Sequence, residues 1–364
     1  MRLARVVLEQ FRNYEQLVHE PAAGLNVFVG ANAQGKTNLL EAICLLATGK
    51  SFRARREAEL IRHGSERARA EGTARIRAGE VTLQCIVEAT ASGARKRYER
   101  NGLPVRYAGF LGNLRVVRFI PADLRLVDGA PALRRAFLNE ALAQQETAYY
   151  RALARYNTTL EQKAAMLRGT VSYDGTLMEI YDGTLAAAGA TLRAARLRFT
   201  RDVAERAAEV HRRWSAGERL EIRYLPNPPG EVDDAASLFA QLRAVAEHER
   251  RRGRPLVGPH RDDLAFLLDG RPLLSFGSQG QRRTAVLALK TAEYTVIRER
   301  TGEAPLFILD DVLSELDESR ARAFLRDMGE VEQAFVTAVA LPRGLEPARA
   351  DAVEGGRLRP LAAG

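Results

Sequence analysis

The rhythm of hydrophobic and polar positions changes twice along the chain. Residues 3–8 read as a strand, and Gly24-Leu-Asn-Val-Phe-Val-Gly30 is a short β-rich run closed by glycine. That pattern predicts a buried strand feeding a loop. From Lys36 the apolar positions Leu39, Leu40, Ile43, Leu45 and Leu46 predict a helix packed on a sheet and stopped at Gly49. Residues 81–87 predict a further strand, and Tyr98-Glu-Arg-Asn101-Gly102-Leu a hairpin on an Asn-Gly turn.

Near Pro131 the texture shifts. Residues 132–167 hold neither proline nor glycine, residues 176–215 are interrupted only by Gly183 and Gly189, and residues 235–252 form a third run of strong helix formers. A helix of about 35 residues spans ~50 Å, too short for a long coiled coil but suited to antiparallel helices in an arm. Residues 218–224 predict a strand before the proline-rich stretch 226–230, and β character returns at 264–268, 273–276, 306–309 and 334–339. The expected fold is α/β: a head built from both chain ends (1–122 and 258–364), with a mostly helical arm (123–257) inserted between them.

Composition adds room and charge to this outline. With 364 residues, 46% hydrophobic and 28% charged, the chain can bury a large core and shows no sign of extended disorder. Cys44 and Cys85 stand apart in sequence, outside any metal-binding spacing, as expected in a reducing compartment. Met1-Arg-Leu-Ala-Arg opens without an apolar run, and no stretch approaches the ~18–20 residues needed to cross a bilayer. A cytoplasmic protein without a membrane partner is expected. The net charge of +9 is uneven: residues 50–122 carry +9, residues 1–49 none, residues 123–257 +3 and residues 258–364 −3. Arginine usage accounts for the scarcity of lysine but not for this segregation, which is the footprint expected for a polyanion.

Three motifs carry chemistry. Gly30-Ala31-Asn32-Ala33-Gln34-Gly35-Lys36-Thr37 meets the phosphate-loop pattern between a predicted strand and a predicted helix. Its backbone N–H groups and the helix dipole would face the phosphates of ATP, Lys36 would neutralise them, and the Thr37 hydroxyl would ligate Mg²⁺. Such a loop needs an acidic metal partner on a neighbouring buried strand, and Leu306-Phe-Ile-Leu-Asp310-Asp311 supplies one. Asp310 would hold Mg²⁺, and Asp311 would polarise the attacking water. Ser275-Phe-Gly-Ser278-Gln-Gly280-Gln281-Arg-Arg opens a predicted helix and is either a second anion site or a plain N-cap. Taken in order with Ser314-Glu-Leu-Asp317, the motifs resemble ABC ATPases. The resemblance implies that Ser278, Gly280 and Gln281 complete the nucleotide site of a second subunit in an ATP-dependent homodimer.

Finer residues narrow the resemblance. The P-loop with its continuation Asn38-Leu-Leu-Glu41 is similar to those of SMC-like DNA repair ATPases rather than of transporters. Phe11-Arg12-Asn13-Tyr14, Gly49-Lys-Ser51-Phe-Arg53, Arg134-Arg-Ala-Phe-Leu-Asn, Gly258-Pro-His260-Arg261-Asp262-Asp263 and Ser278-Gln-Gly-Gln-Arg-Arg resemble the RecF family in order from residue 3 to about 340. That resemblance implies a weak, DNA-dependent ATPase of recombinational repair that binds DNA without sequence preference. With RecO and RecR it helps load RecA. Asp311 stands where transporters carry Glu, and all five histidines precede the Asp-Asp strand, so Thr337 is a candidate for contacting the γ phosphate. The Arg12 loop either closes over the nucleotide or caps the first strand, with Arg12 as the nearer contact; His260 and Arg261 form either a hinge between arm and head or a nucleotide or interface site. DNA is expected along Arg53, Arg55, Arg56, Arg95, Lys96, Arg97 and Arg100. The rival expectations are a transporter-type ATPase subunit and a scaffold with a structural nucleotide.

Overall fold

The computed structural model describes residues 1–215, 217–229, 234–313, 323, 324, 326, 331–341 and 346–361. The chain divides into two compact units, residues 1–124 with 290–364, and residues 125–289. The return to the first unit thus comes about thirty residues later than residue 258, where the sequence suggests it. The reason is pairing: Asp263–Leu268 joins Leu220–Leu225 and Arg271–Pro272 in a three-stranded antiparallel sheet belonging to the second unit.

The first unit has two six-stranded sheets. One is antiparallel, in the order Tyr14–His19, Arg2–Phe11, Arg67–Ile76, Gly79–Thr90, Gly93–Arg100, Leu103–Val105. The other runs Arg357–Pro360, Arg349–Glu354, Gly24–Val29, Gln333–Ala338, Leu306–Asp310, Val116–Phe119, parallel except for the first strand. Both faces of Leu306–Asp310 and Gln333–Ala338 are buried, and their sequences are accordingly apolar without alternation. Helix Lys36–Thr48 packs against strands of both sheets and is buried on nearly every side, with Leu39, Leu40, Leu45 and Leu46 fully enclosed. A helix covered all round needs no polar face, which explains its broad apolar content. At the expected hairpin, Asn101 and Gly102 both adopt positive φ (52° and 75°), as a tight two-residue turn requires.

The second unit is mostly helical. The first apolar run is two helices, Pro131–Gln145 and Thr147–Leu167, broken at Glu146, whose φ of −127° leaves the helical region. Helix Gly175–Trp214 continues unbroken through Gly183 and Gly189 for 40 residues, ~60 Å. Gly189 lies against Leu238 and Pro259 so closely that a Cβ would sit 2.6 Å from the leucine, so packing holds the helix where propensity is weak. Ala235–Arg252 completes the set. The β expectation at 273–276 is overturned: Leu273–Phe276 is a single helical turn, held by Arg282, which donates to the carbonyls of Leu273 (3.3 Å) and Leu274 (2.7 Å).

Candidate functional site

The phosphate loop leaves the end of strand Gly24–Val29 and turns into helix Lys36–Thr48. Gly35 caps that helix at φ 117°, and a Cβ there would meet the Asn13 side chain at 2.6 Å; a Cβ on Gly30 would meet the Val353 carbonyl at 2.5 Å. Both glycines are therefore required by close approach. The loop is clamped from outside. Asn13 Nδ2 donates to the Gln34 carbonyl (2.9 Å), Tyr14 Oη to the Gly35 carbonyl (3.0 Å), and Asn38 Nδ2 to Asn13 Oδ1 (2.8 Å). From the C-terminal hairpin, Gly356 N reaches the Gln34 carbonyl (3.0 Å) and Gly355 N its Oε1 (2.8 Å). Sequence reading missed Gly355 and Gly356, since a Gly-Gly turn more than three hundred residues away carries no sign of what it touches. The ammonium of Lys36 is held at the loop by the carbonyls of Gly30 (2.5 Å) and Ala31 (3.0 Å).

Asp310 ends its strand 6% exposed and meets the P-loop directly. Thr37 Oγ1 donates to Asp310 Oδ1 at 2.9 Å, and Thr337 Oγ1 donates to the same oxygen at 2.8 Å. The aspartate strand is not the neighbour of the P-loop strand: Gln333–Ala338, carrying Thr337, lies between them. Thr337 also accepts a hydrogen bond from Asp311 N (2.9 Å), so its hydroxyl proton and a lone pair serve the two aspartates. In this structure the Thr337 hydroxyl is engaged with the two aspartates. Asp311 adopts φ 57°, the left-handed turn that lets two consecutive residues both face the site. Burial raises the Asp310 pKa first; the Thr337 and Thr37 hydroxyls oppose it, Asp311 adds to it and Arg53 lowers it. A desolvated carboxylate beside a hydroxyl, with no described hydrogen bond on its Oδ2, is a donor set suited to a hard divalent cation such as Mg²⁺.

The basic residues separate on inspection. Arg53 Nη1 donates to Asn38 Oδ1 at 3.1 Å on the P-loop helix and acts electrostatically on Asp310, while its side chain stays exposed. Arg12 is locked on Glu41 by two bonds of 2.8 and 2.7 Å, and the buried Glu41 also accepts from Ser51 Oγ. That pairing occupies Nε and Nη2 of Arg12 and ties it to the helix. Lys96 lies on the inward face of its strand, donating to the Gly49 carbonyl (2.8 Å) and pairing with Glu57 (2.7 Å), its side chain only 11% exposed. Arg97 pairs with Glu88 at 2.7 Å and Arg100 donates to Asn113 at 3.3 Å. Arg55, Arg56 and Arg95 are exposed.

In the second unit, Ser278 and Gln281 form a reciprocal cap at the start of helix Gln279–Thr301. Ser278 N donates to Gln281 Oε1 (2.7 Å), and Gln281 N to Ser278 Oγ (3.2 Å). Ser278 is exposed and Gly280 half-buried, while Leu274 and Phe276 beside them are 53% and 70% exposed. The 258–263 motif is a buried charge hub. Asp262, fully enclosed, accepts from Arg193 (3.4 Å), Arg196 (3.2 Å), Asn227 N (2.8 Å) and the Tyr224 hydroxyl. Asp263 takes two bonds from Arg134 at 2.6 and 2.9 Å. His260 Nδ1 meets the Tyr156 hydroxyl at 2.7 Å, and burial, helped by Arg261, lowers its imidazole to about 4. These contacts hold His260 within the second unit. Ser314-Glu-Leu-Asp317 lies outside the described residues.

A family model described as the RecF/RecN/SMC N terminal domain matches residues 2–343. The DNA replication and repair protein RecF of Limosilactobacillus fermentum is 41% identical over 354 residues, covering 94% of this chain and 93% of the relative. RecF of Symbiobacterium thermophilum is 41% identical over 348 residues, covering 93% of this chain and 91% of the relative. A solved structure of the recombination mediator protein RecF with ATP, from the RecFOR pathway, superposes with a TM-score of 0.90 at 30% identity, over 99% of this chain and 98% of that one. An Smc head bound to the C-terminal winged-helix domain of ScpA shares the fold at a TM-score of 0.60 and 16% identity. The ABC-type ATPase head and the sequence agree on one assignment: the chain belongs to the RecF family of SMC-like P-loop proteins.

Proposed function

We propose that the chain is an ATP-dependent DNA-binding protein of replication and recombinational repair, in which ATP pairs two copies on DNA and slow hydrolysis releases them. The observation that carries this reading is the 2.9 Å bond between Thr37 and Asp310, 273 residues apart, which brings a phosphate loop and a desolvated carboxylate into one site. Within that site Lys36 neutralises the β and γ phosphates, Thr37 and Asp310 hold Mg²⁺, and Asp311 orients water. Mg²⁺ held by Thr37 and Asp310 would neutralise phosphate charge as it develops. Asp311 is one methylene shorter than Glu, consistent with slow turnover. Exposed Ser278, flanked by exposed Leu274 and Phe276, is suited to a second copy's nucleotide. DNA contacts fall to Arg55, Arg56 and Arg95, with Arg97 and Arg100 beside them, through phosphates and without base readout. RecO, RecR and RecA are the partners that RecF-family membership suggests.

Sedimentation of wild type and Ser278→Arg with ATP, with and without DNA, tests the composite site. Wild type is expected to dimerise on ATP while the variant binds ATP as a monomer. Ordinary ATP-dependent dimers from Ser278→Arg would refute it.

A further inference from the structure

The end of the helical unit carries charge that its own folding does not use. Helices Thr147–Leu167 and Ala235–Arg252 both terminate there, with the Leu167 carbonyl close to Gly253. Arg250, Arg251 and Arg252 form the last turn of one helix, Arg254 follows it, and Arg168 follows the other; all five are exposed. Val171 and Tyr173, in the turn to helix Gly175–Trp214, are 55% and 49% exposed, and the Arg250 guanidinium lies 4.8 Å over the Tyr173 ring.

Arginines at helix C-termini ordinarily compensate the macrodipole. Two termini contribute only about −0.5 charge each. Asp174 adds one negative charge and is spent capping the next helix through the N–H groups of Thr176 and Leu177. Glu249 is buried against Lys163 at 2.6 Å. Lys163 also pairs with Asp182, so that buried trio keeps one negative charge, and against five guanidiniums an excess of roughly +2 remains, taking the dipole value for each terminus. Among the described residues none of the five arginines makes an ion pair. In the first unit, by comparison, Arg69 is paired with Glu9 and Glu71, and Arg97 with Glu88.

We infer that this end of the helical unit is a contact surface for single-stranded nucleic acid, with phosphates on Arg168, Arg251, Arg252 and Arg254 and an unpaired base on Tyr173. Charge alone would suit any polyanion. A half-exposed tyrosine with the Arg250 guanidinium over its ring favours a strand whose bases are free to stack, since duplex DNA offers phosphates but no open base face. The inference rests on the nucleic-acid reading above and adds to it a second site of different strand preference.

Full-length wild type, Tyr173→Ala and the triple reversal Arg251→Glu, Arg252→Glu, Arg254→Glu are to be compared by fluorescence anisotropy on labelled oligo-dT and on a blunt duplex. ATP-dependent sedimentation of each variant controls for folding. The triple reversal is expected to weaken oligo-dT binding more than tenfold and to flatten its log–log salt dependence by about 2, at ~0.7 per phosphate contact. Tyr173→Ala is expected to weaken oligo-dT binding roughly tenfold and to leave duplex binding unchanged. Unchanged oligo-dT affinity in both variants overturns the site, and equal losses on oligo-dT and duplex from Tyr173→Ala overturn the single-strand preference. A wild-type protein that binds neither probe would sink the proposed function as well.

Discussion

Two buried aspartates, Asp310 in the head and Asp262 in the helical unit, face opposite surroundings. Asp262 is fully enclosed yet surrounded by two guanidiniums, a tyrosine hydroxyl and a backbone N–H. Asp310 is nearly as buried, but among the described residues its hydrogen bonds come only from two hydroxyls on one oxygen, with a second carboxylate close by and Arg53 acting from a distance. A structural carboxylate is satisfied by its own fold; a carboxylate that waits for a cation is left short of positive charge. Burial with complete pairing marks architecture, whereas burial with incomplete pairing marks the site.

The largest effect should come from breaking the satisfied member. Asp262→Asn leaves Arg193 and Arg196 buried without their counter-charge and should cost about 3–5 kcal/mol, read from the urea midpoint of unfolding. Nucleotide affinity measured well below that midpoint should be retained, and a variant as stable as wild type would remove the distinction between the two aspartates.

Asp310→Asn should behave in the opposite way. Hydrolysis should fall by at least about a hundredfold, roughly 3 kcal/mol at the barrier, while the ligand-free protein should be as stable as wild type or more so. The sign follows from the raised pKa of Asp310. Its contribution to stability is full below the ordinary carboxyl range and is lost as pH rises through the raised folded-state value. The stability gap in favour of the variant should therefore widen over that interval and then level off. Thermal melts across acidic pH, without nucleotide or metal, check this; a gap that shrinks with rising pH contradicts it.

The smallest change sharpens the contrast. Thr337→Val keeps the shape of the side chain but removes the hydroxyl linking Asp310 to Asp311 N, and should cost about 1–2 kcal/mol. If the hydroxyl positions the aspartates, kcat should drop while the nucleotide affinity stays near wild type. A change confined to affinity would return Thr337 to the phosphate-contact role.

Much of this site was legible before any coordinates. The P-loop, Asp310 and Asp311 each occupy a few adjacent residues whose chemistry is fixed by spacing, and local patterns of that kind survive folding unchanged. The helical runs were legible too, although Glu146 divided one of them and packing at Gly189 kept another whole. Residues 273–276 pattern as β yet form a helical turn, because four mostly apolar positions do not discriminate a short strand from a helical turn. The basic segment was the weakest reading. Composition registers that Lys96, Arg53 and Arg97 are cationic, but their strand faces and partners assign one to the core side, one to Asn38 and one to Glu88.

By itself, then, the sequence determined what was local: a strand–loop–helix of the phosphate-loop pattern, a strand ending in two carboxylates, a capped helix beginning at Ser278, and family membership. Only the tertiary structure decided what depended on distance along the chain. It inserted the strand of Thr337 between the two functional strands, placed Gly355 and Gly356 against the P-loop, locked Arg12 on Glu41, and left the arginines at the end of the helical unit without an ion pair among the described residues. The physical reason is that a side chain's type sets what it can bond, whereas the partner it meets is set by sheet order and packing, which no local spacing encodes.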